Sequence, residues 1–232
     1  MKNLLYLSLL VILTACNAKP PQQSKHNNPD NSTAVARTYS GTFDLAKLLL
    51  NENLPALMAA LHVKPEPKST DESTMLKFEI FKSSSSKVLR FENVDFSGSN
   101  GKNKNQVLFH YNEKNNMLAC YELKIYNQEQ TDKVIGFLGK VGKLSFKQTK
   151  LPKGSIAIDV NGDEIKPEKL ERKTYRVWEN KTTGITYFLS ETGSGQNLIT
   201  ELIVLKRATQ FGKDWISFLQ LDWYRYEKSE PL

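Results

Sequence analysis

QVLFHYNEKNNMLACYELKIY, residues 106–126, decides how this chain folds. Val107, Phe109 and Tyr111 share one face of the first arm, with His110 on the other. Met117, Ala119, Tyr121, Leu123 and Ile125 alternate in the same way in the second arm. A period of two marks a half-buried strand. The polar run Asn112–Asn116 between the arms makes the pair a long hairpin. The core is therefore expected to be antiparallel sheet.

The flanks extend this reading. Met75–Phe81 and Val88–Phe91 read as strands, and Ser97–Asn105 as a polar loop. Thr131 to Val141 reads as a helix through Val134, Ile135, Phe137, Leu138 and Val141. Further on, Asn161-Gly162 predicts a tight hairpin within Ser155–Ile165, and Pro167–Arg172 a helical turn. Thr174–Trp178 and Ile185–Glu191 form a hairpin around Asn180–Gly184, followed by a buried strand from Leu198 to Lys206. Asp44–Val63 has helical spacing in Leu45, Leu48, Leu49, Leu57, Met58 and Leu61. Asn51-Glu52-Asn53 interrupts it, Pro55 suits the first turn of a second short helix, and Lys64–Pro67 ends it. Trp215–Tyr226 reads equally as helix or strand. Val134–Leu138 echoes Trp215–Leu219, and an internal duplication would make Trp215–Leu221 helical. The fold class is α+β: one domain, residues 38–232, of antiparallel hairpins with two or three packed helices.

Composition limits what such a domain does. The chain has 232 residues, 39% apolar and 25% charged, with 32 Lys and Arg against 25 Asp and Glu. This balance excludes a disordered chain and a polytopic membrane protein. Two cysteines exclude a disulfide-stapled scaffold. Three histidines leave little material for a multi-histidine metal site, and no cofactor is expected.

The N-terminus reads MKNLLYLSLLVILTAC, with Lys2 before an apolar run of ten residues, Leu4–Leu13. That run is too short to span a hydrocarbon core of about 30 Å and has the length of a secretory signal core. It ends in Leu13-Thr14-Ala15-Cys16, which resembles the lipobox of bacterial lipoprotein precursors. The resemblance covers about sixteen residues and implies cleavage after residue 15 and acylation of Cys16. It makes residues 1–15 a signal peptide and fixes the mature chain to a membrane through lipid. Asn17 follows, and the absence of Asp there implies the outer membrane if the source is Gram-negative, with the domain facing the periplasm. Cleavage removes Lys2, so the net charge falls from +7 to +6, and Cys120 is left as the one free thiol. Residues 16–37, rich in Asn, Pro, Gln and Ser, read as a disordered tether with a reach of about 25 Å. His26 lies in it and is expected to be inert, as are the sequons at Asn31 and Asn180.

No stretch of the domain assembles a catalytic motif. Asp159, Asn161 and Asp163 alternate as in a calcium loop, but Glu164 and Leu170 stand where Gly and Glu are required. Gly98–Lys102 is too short for a phosphate loop, and Gly193-Ser194-Gly195 lacks nucleophile-elbow spacing. Cys120 sits in a half-apolar strand and is expected to be a packed thiol. His62 follows a helix. Two groups of side chains are candidate binding residues. Trp215, Trp223, Tyr224 and Tyr226 make the C-terminal segment the most aromatic, a composition that suits either core or interface. Lys143, Lys147 and Lys150 belong to the densest basic run, Lys140–Lys153, and suit an anionic partner or a solvated surface. Nucleic acid is excluded by the lack of a motif and by the compartment.

Three functions are weighed. The first is a non-enzymatic envelope binding module whose partner is another protein, of the immunity or accessory-subunit type. The second is a binder of a glycan, a peptidoglycan fragment or a lipid, which needs a concave apolar pocket. The third is an envelope hydrolase, which needs a cleft holding a nucleophile–base or carboxylate pair.

Overall fold

The structure is a computed structural model that describes residues 42–67, 77–150, 173–193 and 197–218. Its centre is a seven-stranded antiparallel sheet. In chain order the strands are β1 (Phe78–Ser83), β6 (Gln106–Asn112), β7 (Leu118–Ile125), β8 (Lys143–Lys150), β9 (Lys173–Asn180), β10 (Ile185–Thr192) and β11 (Ile199–Lys206). Two small hairpins lie between β1 and β6: β2 (Arg90–Phe91) with β3 (Val94–Asp95), and β4 (Ser99–Asn100) with β5 (Asn103–Lys104). The helices are α1 (Leu54–Ala60), α2 (Gln128–Val141) and α3 (Gln210–Phe218). The sheet order is β1-β6-β7-β11-β10-β9-β8. The α+β class expected from the sequence is the class observed.

The hairpin at residues 106–126 forms as the alternation demands, with one irregularity. His110 pairs with Cys120 and Tyr111 with Leu118, so a bulge at Ala119 shifts the register. The bulge sends Leu118 to the same face as Tyr121 and Ala119 to the face of Cys120. Across the sheet, Phe81, Phe109, Tyr121, Val204, Tyr187, Trp178 and Leu144 form one continuous row. This row belongs to the larger core, which the N-terminal segment and α2 cover. The opposite face carries Cys120, Leu205, Phe188, Val177 and Ile203, and α3 covers it with Phe211, Trp215 and Ile216.

Each helix has a local reason for its ends. Asn127 caps α2 by accepting from the Gln130 N–H at 3.0 Å, so the helix begins three residues before Thr131, where the apolar spacing alone starts it. Gly142 ends it beside β9, where a Cβ would lie 2.8 Å from the Glu179 carbonyl oxygen. Thr209 caps α3, its Oγ1 accepting from the Gly212 N–H at 3.1 Å. A Cβ on Gly212 would overlap the Lys206 carbonyl oxygen at 2.2 Å, so only glycine lets α3 turn back so closely on β11. Asn53 caps α1, and its C-terminus closes on His62 at φ 50°. There the Val63 N–H donates to Met58 O and the His62 N–H to Ala59 O, a Schellman closure.

The first half of the helix expected over Asp44–Val63 is replaced by a single 3-10 turn, Leu45–Lys47. Two carboxylates divert the backbone. Asp44 accepts from Ala46 N, and Glu52 accepts from Leu49 N at 2.7 Å and Asn51 N at 3.1 Å. Leu48 turns extended and Leu50 left-handed as a result. The second helix, with Pro55 in its first turn, forms as expected. Ser97–Asn105, expected as a loop, holds the β4–β5 hairpin, and β8 is a strand within the basic run.

Trp215–Phe218 is helical, as the echo with Val134–Leu138 requires. With β8 set aside, the strand order is also symmetric about the β7–β11 pair. The helices break that symmetry, because α2 and α3 pack on opposite faces. The hairpin expected at Ser155–Ile165, the calcium-like run Asp159–Glu164 and the turn at Pro167–Arg172 lie outside the described residues.

Candidate functional site

The register assembles titratable groups on the α3 face of the sheet. His110 of β6 stands opposite Cys120 of β7, and Glu122 follows two residues on along the same face. His110 Nε2 lies 2.9 Å from Glu122 Oε1. Lys124, the next residue on that face, pairs with Glu201 of β11 at 3.5 Å. The result is a lane of His110, Glu122, Lys124 and Glu201 running across three central strands. The His110 ring also meets Phe211 of α3, with centroids 5.8 Å apart.

The thiol, imidazole and carboxylate stand in the order of a nucleophile, base and orienting group. Their electrostatics work against that chemistry. Cys120 is fully buried, and burial pushes its thiol well up, with the carboxylates of Glu122 and Glu201 adding to the shift. A nucleophilic thiol needs access and a lowered pKa, and this one has neither. His110 is 5% exposed, and its Nδ1 has no hydrogen-bond partner. Burial likewise raises the Glu201 carboxyl, Glu122 raises it further, and Lys124 and Lys173 pull it back. For Lys124, desolvation acts to lower the ammonium, but Glu201 and Glu122 outweigh it and the net shift is upward. The lane is a paired polar seam that holds a neutral thiol. Among the described residues no group of three or more His, Cys, Asp or Glu is placed to hold a metal ion.

The opposite face has its own seam. Arg176 of β9 pairs with Glu191 of β10, and Thr131 Oγ1 of α2 donates to Thr200 Oγ1 at 2.8 Å. Burial lowers the Arg176 guanidinium, and Asp132 of α2 offsets part of the shift. Asn105 ties the hairpins to this layer. Its Nδ2 donates to Phe96 O and Gln130 Oε1, and its Oδ1 accepts from the Tyr126 N–H.

Of the residues singled out by sequence, Trp215 lies in the α3 core, 5% exposed, its ring 5.3 Å from Phe188. Trp223, Tyr224 and Tyr226 lie outside the described residues. Lys143, Lys147 and Lys150 all fall on β8, the last strand of the sheet among the described residues. In register Lys143 stands opposite Glu179, Lys147 opposite Arg176 and Lys150 opposite Lys173. His62 is exposed and serves as the residue that closes α1. Glu122, Glu201 and Arg176 were not singled out by sequence. Each is one polar position in an alternating strand, and only cross-strand register shows which of them meet.

The buried protons carry a testable consequence. Burial raises Tyr121 well above the usual phenol range, raises Tyr187 to about 12, and raises Cys120 as described. The folded state thus holds these protons more tightly than the unfolded state. Their contribution to stability is whole below the unfolded pKa values, about 8.5 for a thiol and 10 for a phenol, and is lost as pH rises above them. Urea midpoints measured at pH 7.5, 9 and 10.5 are expected to fall with each step. Equal midpoints at 7.5 and 10.5 would refute the assignment.

No protein family, no curated protein and no solved structure matches the chain.

Proposed function

We propose that this chain is a lipid-anchored lipoprotein of the bacterial cell envelope whose folded domain is a non-enzymatic binding module for another envelope protein. The observation that carries this reading is Leu13-Thr14-Ala15-Cys16, placed after Lys2 and ten apolar residues. Two or three acyl chains on Cys16 hold a protein stably, where one chain does so only marginally. Asn17 at the next position favours the outer membrane in a Gram-negative cell. The 16–37 tether then keeps the domain within a few nanometres of the lipid. Two features support binding over catalysis. The thiol beside His110 and Glu122 is enclosed and neutral, and exposed Lys143 at the start of β8 suits an acidic partner surface.

Affinity capture of the tagged protein from detergent-solubilised native membranes tests the proposal, with Cys16→Ala as control. The wild type is expected in the membrane fraction, labelled by a metabolically supplied fatty acid and enriched for one protein. Cys16→Ala is expected in the soluble fraction, without label and without that protein. Membrane retention of Cys16→Ala would sink the anchor. A protein list identical to that from an untagged strain would sink the partner.

A further inference from the structure

Strands β11, β10, β9 and β8 lie side by side, and register fixes which residues meet at one end of them. Ile185, the first residue of β10, stands opposite Lys206 of β11 and Asn180 of β9, and Glu179 stands opposite Lys143 of β8. Lys181 opens the β9–β10 turn, and Lys140 lies in the last turn of α2, whose end meets β9 at Gly142. With neighbouring strands about 4.8 Å apart, Lys206 and Lys143 bracket a strip about 14 Å wide. Lys140, Lys143 and Lys181 are exposed and Lys206 is half-buried.

The charge of this strip is not cancelled. None of its four lysines has an ion pair among the described residues. Glu179, the carboxylate within the strip, is taken by Arg207 at 3.0 Å. Beside it, Lys213 and Asp214 of α3 offset each other. The strip therefore projects a field of one sign, felt over about 8 Å at physiological salt.

The surroundings of the lysines favour one kind of occupant. Protein interfaces take most of their energy from aromatic and other large anchors that fill pockets. Here the β9–β10 turn presents Thr182, Thr183 and Gly184. The exposed large hydrophobic among the described residues, Ile199, lies at the opposite end of β11. A polar strip of like charge without an anchor fits a broad anionic surface, which attracts each lysine separately.

We propose that this end of the sheet docks on an anionic lipid surface, with Lys140, Lys143, Lys181 and Lys206 against the head groups. The contact needs no acyl chain. On the lipoprotein reading, the tether only keeps the strip within reach of lipid.

Cosedimentation of the full chain with vesicles tests it, comparing pure phosphatidylcholine with equal parts of phosphatidylcholine and phosphatidylglycerol. The wild type is expected to bind the anionic vesicles about tenfold more tightly or better. The triple variant Lys140→Glu, Lys143→Glu, Lys181→Glu is expected to lose most of that preference. Lys64→Glu, Lys102→Glu, Lys104→Glu makes the same change in net charge on exposed residues outside the strip and is expected to keep most of it. Lys2 and Leu4–Leu13 are common to all three proteins, so their own binding cancels in the comparison. Salt at about 0.5 M is expected to abolish the wild-type preference. Equal losses in the two triple variants would overturn the proposal, because net charge and not the strip would then govern binding. Equal binding of the wild type to both vesicles would also overturn it and leave the strip to an acidic protein surface. The wild-type comparison and its salt dependence need no variant, so they decide the matter even if a triple variant does not fold. Neither depends on whether Cys16 is acylated, so failure of the anchor is told apart from failure of the strip.

Discussion

Asp44→Ala is expected to destabilise the domain by about 3 kcal/mol, one of the largest losses available to a residue outside the apolar core. Asp44 is 1% exposed, and its carboxylate accepts three backbone N–H groups. Ala46 donates to Oδ1 at 2.9 Å, Glu92 to Oδ1 at 2.9 Å and Asn93 to Oδ2 at 2.8 Å. Glu92 and Asn93 are the two central residues of the β2–β3 turn, both left-handed at φ 50° and 63°. A non-glycine pair holds that conformation at a cost of about 1–2 kcal/mol per residue, which the carboxylate offsets by binding both N–H groups. Removing it strands three part-buried donors, each costing about 1–3 kcal/mol less what water recovers. Asp44→Asn, which keeps an acceptor of similar shape, is expected to lose about half as much. Urea unfolding of the three proteins measures this. A loss below about 0.5 kcal/mol for Asp44→Ala would mean that the turn holds itself.

How far sequence reaches in this protein depends on whether a residue's role is local. The 106–126 hairpin, α2 and the 174–191 hairpin show themselves because each carries its own period over six or more residues. Strand β8 does not, since KLSFKQTK has only Leu144 and Phe146 as apolar positions, with a register shift between them. Its three lysines make it read as surface. Asp44 and Glu52 sit in a leucine pattern that fits a helix, and nothing local says that their carboxylates take up backbone N–H groups instead. The candidate sites are less legible still. His110 and Glu122 meet because the bulge at Ala119 sets the register, and a bulge leaves no mark in composition.

Trp215→Ala is expected to cost about 3–5 kcal/mol and to open the α3 face of the sheet. Trp215 packs on Phe188 at 5.3 Å, and one turn earlier Phe211 packs on Phe78 at 4.7 Å. With Ile216 these are the side chains that α3 offers to the second core among the described residues. Truncating the largest of them removes much of what holds a nine-residue helix that is too short to be stable alone. Cys120 beneath it reports the opening. In a Cys16→Ala background Cys120 is the only thiol, so its reaction with a disulfide reagent at pH 8 can be followed directly. In the folded protein it lacks both access and thiolate character. The rate should then track the population of open forms. A loss of about 3 kcal/mol raises that population about a hundredfold, and the reaction should accelerate by a similar factor. Trp215→Phe keeps an aromatic ring against Phe188 and is expected to recover most of the protection. An unchanged rate in Trp215→Ala, with the overall urea midpoint lowered, would show that something other than α3 seals the thiol. A hundredfold rate reversed by the Trp215→Phe variant would assign the seal to that one side chain.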